Sequence, residues 1–188
     1  LTIHAGGTVT ANAGNLETLP GRPPESSIAS NDSELSTIGT DDFFAKFFGQ
    51  DKATYKDNAN YQLNCGGVCN SEVSGIESAI IWADVPAGNT FKINSNTVVG
   101  SLANPVILIV NGDLTINGSA TIYGIVYSAN TVWDNTGGGT SQIVGAAIAE
   151  GDFMATGTPN PTYDSSVLNN LANTLGNYYK IPGSWRDF

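Results

Sequence analysis

The feature that most constrains the fold is a repeat of short strand-like segments separated by turns that contain glycine. The clearest copy lies at residues 106–124, where the unbroken apolar run Val-Ile-Leu-Ile-Val is followed by two segments in which polar and apolar residues alternate. Asn111-Gly112 and Asn117-Gly118 separate the three segments. An apolar run rich in β-branched residues is typical of a strand that is buried on both faces. This stretch therefore predicts three short strands joined by tight corners.

Asn-Gly turns also join antiparallel hairpins, so a meander is the alternative to be weighed. The recurrence of the pattern argues against it. Further copies occupy residues 88–100, residues 125–145 with a detour at 134–142, and residues 146–155. Gly100, Gly124 and Gly145 close three of the copies and are 24 and 21 residues apart. A repeat of about 20 to 25 residues with three strands per copy predicts a parallel β-helix, a solenoid in which each copy forms one coil.

We therefore predict a mainly β chain that folds as a right-handed parallel β-helix of three to four coils between about Ile80 and Thr158. Gly112, Gly124 and Gly151 are expected at corners. The side chains expected in the core are those of Ile107, Ile109, Leu114, Ile116, Ile122, Val126 and Ile148.

At 188 residues the chain is long enough for one domain with a substantial core. We expect a single β-helix domain over residues 1–188, interrupted by a loop and helical insertion at residues 20–75. Residues 5–12 resemble residues 110–117 and are interpreted as one more strand of the solenoid.

A helix at residues 164–175 is expected to flank the solenoid or cap it. Its spacing places Val167, Leu168, Leu171 and Leu175 on one face. Asp164 or Ser165 suits the start of this helix, and Gly176 suits its end.

A second, shorter helix is predicted inside the insertion. Thr40 or Asp41 suits its N-terminus, and Gly49 suits its C-terminus. Its four phenylalanines, Phe43, Phe44, Phe47 and Phe48, form one broad apolar face, which must dock on the solenoid or on a partner. One narrow helix cannot hide all four rings, so we expect at least one of them to be partly exposed for contact with another subunit.

The two cysteines, Cys65 and Cys69, flank a short loop that contains Gly66-Gly67. A zinc site would need further ligands, and the single histidine, His4, is remote in sequence. A structural disulfide, which implies an oxidising compartment, is the simplest prediction, and a pair of free buried thiols is the alternative.

The composition and motifs point away from several classes of function. A formal net charge of −10 with only 7 Lys and Arg residues disfavours binding to nucleic acid or to an anionic membrane surface. The glycines at 137–139 lack the lysine of a phosphate-binding loop, and His4 is a poor centre for a catalytic triad. No cofactor and no metal site are therefore predicted, and calcium binding by acidic loops is the weaker alternative because the sequence has no Asp-x-Asp-x-Asp run.

Acidic corner residues need separate consideration because parallel β-helices host polysaccharide-cleaving enzymes. Asn89, Asp113, Asn130 and Asp152 are expected to align in successive coils. Asp113 and Asp152 would then lie about 10 Å apart, near the separation of an inverting carboxylate pair. Asn and Asp also suit stacked corners for conformational reasons, so we predict a structural ladder and no catalytic residues.

Four features together resemble PilX-type minor pilins of type IV pili. They are the ending Ile-Pro-Gly-Ser-Trp-Arg-Asp-Phe at 181–188, the segment Asp41–Gly49, the Cys65–Cys69 loop and the Asn-Gly coils. The resemblance implies a non-catalytic component of pilus assembly and surface adhesion, with other minor pilins and a large tip adhesin as partners. It also implies an N-terminal hydrophobic helix, expected upstream of Leu1, that anchors the protein first in the inner membrane and then in the surface pilus.

We expect the partner contacts to lie in the excursions from the solenoid, residues 20–75 and 134–142. The alternative function is that of a secreted polysaccharide-acting enzyme or a carbohydrate-binding module on the same type of solenoid. A third hypothesis, a bactofilin-like filament scaffold, is weakened by the predicted disulfide.

Overall fold

The computed structural model describes residues 3–10, 21, 23–135, 140–156 and 161–175, with only the backbone for 133–135 and 155–156. The helices are α1 (Ser33–Thr37), α2 (Thr40–Phe48), α3 (Lys52–Asp57), α4 (Asn70–Val73) and α5 (Ser165–Leu175). The strands are β1 (Ile3–His4), β2 (Ile28–Ala29), β3 (Tyr61–Asn64), β4 (Gly67–Val68), β5 (Ile80–Asp84), β6 (Phe91–Ile93), β7 (Val98–Val99), β8 (Val106–Asn111), β9 (Leu114–Asn117), β10 (Thr121–Ser128), β11 (Val132–Asn135), β12 (Gln142–Ala149), β13 (Phe153–Thr156) and β14 (Pro161–Thr162).

Parallel pairing is the rule throughout the described strands. A seven-stranded sheet has the order β14-β12-β10-β8-β5-β3, and β7 also pairs with β10. A five-stranded sheet has the order β13-β11-β9-β6-β4. Every strand pair among the described residues is parallel, which contradicts the antiparallel meander and confirms a mainly β fold with parallel sheets.

The chain alternates between the two sheets as it advances. β8, β10 and β12 belong to the seven-stranded sheet, while β9, β11 and β13, which follow them in turn, belong to the five-stranded sheet. Paired residues are separated by 27 positions at Ile80 and Ile107, by 18 at Val106 and Gly124, and by 21 at Gly124 and Gly145. The register keeps the predicted 21-residue step between Gly124 and Gly145. It does not keep the predicted 24-residue step between Gly100 and Gly124, because Val99 pairs with Ile122, 23 residues later.

Side chains on the two faces of the seven-stranded sheet enter different apolar clusters. Val106, Leu108 and Val110 belong to the larger cluster, which they share with residues of the five-stranded sheet such as Leu114. Ile107 and Ile109 point the other way, into a second cluster under the helices. All five residues of the run 106–110 are buried, as predicted for a strand covered on both sides.

The predicted core is confirmed for six residues and corrected for one. Ile107, Ile109, Leu114, Ile116, Ile122 and Val126 are buried. Ile148 is only partly buried and packs against the second cluster. Its strand, β12, is next to the last strand of the sheet, so fewer side chains surround it.

Two of the predicted corner glycines lie where a strand ends, and the third does not. Gly112 follows β8 within one residue, and Gly151 follows shortly after β12. Gly124 lies inside β10, at a φ of 138°, where the strand changes its neighbour from β7 to β8. A Cβ atom there would overlap the carbonyl oxygen of Val106, so this position requires glycine.

The limits of the sheets differ from the prediction. β3 and β4 extend both sheets by one strand within the expected insertion, and β14 reaches Thr162. Residues 5–10 form no strand, and residues 11–12 of that predicted strand lie outside the described residues. Instead, β1 pairs with β2 in a separate two-stranded sheet, so the similarity to residues 110–117 was misleading.

The two predicted helices are present, with one corrected terminus. The N-cap of α2 is Gly39, without a side-chain hydrogen bond, in place of Thr40 or Asp41. Gly49 ends α2 at a φ of 70°, as predicted. Asp164 caps α5 by accepting hydrogen bonds from the backbone N–H groups of Ser166 and Val167, whereas Gly176 lies outside the described residues.

Helix α5 covers a side of the seven-stranded sheet. It contacts β8, β10 and β12. Its buried Leu171 belongs to the second cluster together with Ile107 and Tyr127. The helix therefore flanks the sheet and does not close the end of the strand stack.

Candidate interaction surface

The four phenylalanines of α2 lie in three different environments. Phe44 is fully buried and Phe48 is nearly so. Phe43 is half-buried, and Phe47 is 51% exposed. The four rings therefore divide into an anchoring pair and an outward pair, a division that the sequence did not specify.

The anchoring pair is held by aromatic side chains from the sheet and from α3. The ring of Phe44 lies 5.0 Å from that of Tyr127 and 6.2 Å from that of Trp82, in edge-to-face geometry. Tyr55 of α3 contacts both Phe44 and Phe48. Aromatic pairs in this geometry stabilise packing beyond the burial of their area, so α2 is fixed on the sheet.

A buried carboxylate lies beneath the two helices. Glu150, with a side chain that is 6% exposed, accepts a hydrogen bond from the hydroxyl group of Tyr127 and pairs with Lys52 Nζ at 2.6 Å. Burial, followed by the hydrogen bond to Glu150, raises the pKa of Tyr127, so this phenol keeps its proton and donates. A buried charge is tolerated when it is paired and hydrogen-bonded in this way.

A second polar anchor joins α3 to the end of β5. Asp84 accepts hydrogen bonds from Lys56 Nζ at 2.7 Å, Trp82 Nε1 at 3.0 Å and Asn111 Nδ2 at 3.1 Å. Burial opposes ionisation of Asp84, but the three donors outweigh it and lower the pKa of the carboxyl group. Lys56 therefore ties α3 to β5, and Lys52 ties it to Glu150, the residue that follows β12.

These anchors present Phe47 on a fixed support. The ring of Phe47 packs edge-on against Phe43 at 5.1 Å, and Phe43 in turn lies 6.4 Å from Tyr127. An exposed aromatic ring that its own helix pre-positions loses little entropy when a partner covers it. We call Phe43 and Phe47 the outward aromatic pair.

The disulfide is confirmed. Cys65 and Cys69 are bonded, with a Cα–Cα distance of 6.2 Å. Cys65 directly follows β3 and Cys69 directly follows β4, so the bond links the last strands of the two sheets. Cys69 is fully buried in the larger cluster, and Cys65 packs against that cluster.

The expected corner ladder is wrong in register. The pairing of Leu114 with Val132, and of Val132 with Phe153, places Asp113, Thr131 and Asp152 in one row. Asn130 lies one residue before that row. It is level with Gly151, whose N–H group donates a hydrogen bond to the carbonyl oxygen of Asn130. Asn89 is displaced in the same way. Phe91 pairs with Leu114, so Thr90 is level with Asp113 and Asn89 lies one residue before it.

The carboxylate of Asp113 has a structural role in this row. Its Oδ1 accepts a hydrogen bond from the backbone N–H group of Thr131 at 3.2 Å. The shallow depression beside it, about 260 Å³, is lined mainly by threonines and by Met154. Asp113 and Asp152 stand two strands apart, about 10 Å by strand spacing.

A different ladder, of asparagines, was missed. Asn70 Nδ2 donates to Asn94 Oδ1 at 2.6 Å, and Asn70 Oδ1 accepts from the N–H group of Asn94 at 2.9 Å. Asn117 follows Ile116, the partner of Ile93, and pairs with Asn135. Successive members of this series, Asn70, Asn94, Asn117 and Asn135, are 24, 23 and 18 residues apart. The paired residues of β4 and β6, of β6 and β9, and of β9 and β11 have the same separations. This spacing is visible in the sequence and could have revealed the ladder.

The remaining sequence candidates do not join a site. His4 Nε2 lies 2.7 Å from Asp32 Oδ2, and Asp32 caps α1. Within the described ranges, no group of three or more His, Cys, Asp or Glu residues is arranged to hold a metal ion. The glycines at 137–139 and the motif at 181–188 lie outside the described residues.

None of the helices in the described part of the chain is long and apolar enough to cross a membrane. Comparisons with models of protein families, with curated proteins and with solved structures gave no match.

Proposed function

We propose that this chain is a minor-pilin-like component of a type IV pilus that acts without catalysis, through contacts with other minor pilins and a tip adhesin. It would function first at the inner membrane and in the periplasm, and then in the pilus at the cell surface. The observation that carries the proposal is the outward aromatic pair. The pair belongs to the segment Asp41–Gly49, which is one of the segments that resemble PilX-type minor pilins. Within the pair, Phe47 is exposed on a helix that is anchored to the sheet.

We further propose that the two sheets are faces of one right-handed parallel β-helix. Parallel pairing throughout, alternation between sheets and a shared apolar cluster support this architecture. The hand follows from the strong preference of parallel crossover connections for right-handedness. An experimental structure with left-handed coils or an open sandwich would contradict it.

This architecture suits a protein that works by contact. Stacked strands make a stiff body, and segments that leave it can carry recognition without disturbing the core. α2 is such a segment, held on the sheet by Phe44 and Phe48, and the ion pair of Lys52 with Glu150 holds the adjoining helix α3. The disulfide supports an extracytoplasmic location, because disulfides persist mainly in oxidising compartments.

The test uses the gene in its own host. Deletion should reduce the number of surface pili and the adhesion of cells, and the unaltered gene should restore both. A Phe47→Ser variant should restore neither fully while keeping the thermal stability of the purified domain, because Phe47 is half-exposed. Phe48, which is buried, is unsuitable for this purpose because its replacement would also unfold the support.

Leu102→Ser is the matched control. Leu102 is 54% exposed and lies outside α2, so this variant loses a similar apolar surface elsewhere. It should restore pili and adhesion completely. Normal piliation and adhesion in the deletion strain would remove the pilus assignment. Full restoration of piliation and adhesion by Phe47→Ser would show that the partner contact does not depend on the outward aromatic pair.

A further inference from the structure

Two rows of side chains run next to each other along the outer surface of α2. One row is the outward aromatic pair, Phe43 and Phe47, and the other consists of Asp42 and Lys46. Residues four positions apart lie above one another on a helix, and consecutive residues are turned by about 100° around its axis. Asp42, Lys46 and Phe47 are all exposed. A partner that covers the aromatic row therefore also meets the charged row.

A groove continues this surface beyond the charged row. It has a volume of about 660 Å³ and is lined by Glu34 and Thr37 of α1, by Asp42, Ala45 and Lys46 of α2, and by Ile38 between the two helices. Ile38 and Ala45 are partly buried, whereas the charged side chains are exposed. An apolar lining with carboxylates on both helices suits a long side chain that has an apolar stem and a cationic end.

Most cations of the helical segment are already used within the molecule. Lys52 Nζ lies 2.6 Å from a carboxylate oxygen of Glu150, and Lys56 Nζ lies 2.7 Å from one of Asp84. Of the three lysines in α2 and α3, only Lys46 has no ion pair with a described residue.

The acidic side chains on the same surface are more numerous. Glu34 and Asp42 form no ion pair with any described residue. Asp41 is 84% exposed, and its carboxylate lies 3.7 Å from the nearest lysine nitrogen, that of Lys52. The outer surface of α1 and α2 therefore carries a net negative charge, with Lys46 as its one unpaired cation among the described residues.

The acids alone do not indicate a partner. Glu34, Asp41 and Asp42 lie in the first turns of their helices, where negative charge is favourable next to the helix dipole. Phe47 has no such local explanation, because half of its side chain leaves apolar surface in water. The exposed ring indicates that another molecule covers this surface, and the surrounding charge restricts which molecule that is.

The charge favours a basic partner over a second copy of the chain. Two chains of net charge −10 repel each other. A cationic side chain, in contrast, is attracted by the carboxylates and also by the face of an exposed phenyl ring. The aromatic row and the acidic groove thus select the same kind of partner.

We propose that the partner segment that covers the outward aromatic pair is basic. An apolar side chain of this segment packs on Phe47, and a Lys or Arg side chain enters the groove and pairs with Glu34 and Asp42. Lys46 weakens the contact, because it repels the incoming cation. This inference rests on the proposed function, since it specifies the partner of the same surface.

The test measures peptide binding to the full chain of 188 residues. The probe is a synthetic peptide in which Lys and Phe alternate, and the comparison peptide has Glu in place of Lys. Amide chemical shifts of residues 34–48 in the isotope-labelled chain report binding. The Lys-Phe peptide should bind at least about tenfold more tightly than the Glu-Phe peptide, and the difference should shrink in high salt.

Charge variants should have effects of opposite sign. Asp42→Lys should weaken binding of the Lys-Phe peptide about fivefold, and Lys46→Glu should strengthen it by about the same factor. Glu34→Lys should also weaken binding about fivefold, and it leaves α2 unchanged in sequence. Phe47→Ser should abolish the shifts. Glu72→Lys is the matched control, because it makes the same change of charge at an exposed position of α4 and should leave the affinity unchanged.

Three results would overturn the proposal. The first is equal binding of the two peptides, or no shift in α2 with either of them. The second is an equal loss of affinity in Glu72→Lys and Asp42→Lys, since net charge alone would then attract the peptide. The third is stronger binding by Asp42→Lys and weaker binding by Lys46→Glu, which would assign an acidic partner.

The same variants in the host separate this inference from the proposed function. In the deletion strain, Asp42→Lys should fail to restore full piliation and adhesion, whereas Lys46→Glu should restore both. Full restoration by Asp42→Lys together with failure of Phe47→Ser would leave the pilus role in place and refute the basic partner. Normal piliation without the gene would refute the pilus role, and the peptide measurements would then decide the chemistry of this surface.

Discussion

Replacing Phe44 with alanine should destabilise the protein strongly, and the structure gives the size of the effect. The ring is fully buried, and its centroid lies 4.6 to 6.2 Å from those of Phe48, Tyr55, Trp82 and Tyr127. Removal of a buried phenyl ring costs about 3–5 kcal/mol in free energy of unfolding. Loss of edge-to-face pairs acts in the same direction. We therefore expect a loss of about 4 kcal/mol.

Urea titration followed by tryptophan fluorescence and far-UV circular dichroism measures this loss. With a slope of about 2 kcal/mol per molar urea, the midpoint should fall by about 2 M. Phe47→Ala is the matched control, because it removes the same ring from an exposed position of the same helix. It should change the free energy by no more than about 0.5 kcal/mol.

The comparison of the two variants also tests how α2 is attached. Equal shifts for Phe44→Ala and Phe47→Ala, or a shift below about 1 kcal/mol for Phe44→Ala, would show that the aromatic cluster does not anchor the helix. A fluorescence change without loss of the main circular dichroism transition would show that α2 detaches alone. In that case the ion pair of Lys52 with Glu150 would not couple the helices to the sheet.

Three further predictions concern polar and covalent features. The pKa of Asp84 is lowered, so its stabilising contribution is fully present above the ordinary value of 3.8 and is lost as the pH falls through the lowered pKa. The Asp84→Asn variant should therefore be less stable than the wild type at pH 7, and the free energies of unfolding of the two proteins, measured from unfolding curves, should converge in acid. Replacing Cys65 and Cys69 together by serine should cost about 2 kcal/mol, the value for a five-residue loop, and alkylation of the unreduced protein should find no free thiol. Asp113→Ala combined with Asp152→Ala should lower stability by about 1 kcal/mol through the lost hydrogen bond to a backbone N–H group; polysaccharide cleavage that disappears in this variant would instead favour the enzyme hypothesis.

The central strands could be predicted because their environment is simple. Val106–Val110 is apolar throughout since both of its faces are covered, and the alternation in Leu114–Ile116 reflects one covered face. The outer strands gave weaker signals. β3, with the sequence Tyr-Gln-Leu-Asn, has exposed side chains at three of its four positions because it is the last strand of its sheet. Edge strands therefore fell inside a predicted insertion.

Register was less predictable than strand identity. The Asn and Asp residues before the strands matched by type, but one extra residue in some corners shifted Asn130 relative to Asp113. The asparagines after the strands, including Asn94, keep the spacing of the paired strands because few residues separate them from the ladder. Residues adjacent to a paired strand report its register better than residues that only share a turn type.

The candidate surface could be predicted in composition but not in orientation. Two adjacent pairs of phenylalanines at helical spacing cover a wide arc, so the helix alone permits several rotations about its axis. Tyr127 and Trp82, which are distant in sequence, select the rotation that buries Phe44 and Phe48. The same contacts leave Phe47 outside. Packing and recognition are thus assigned to neighbouring residues of one helix, which is why a change at Phe47 can test function while a change at Phe44 tests folding.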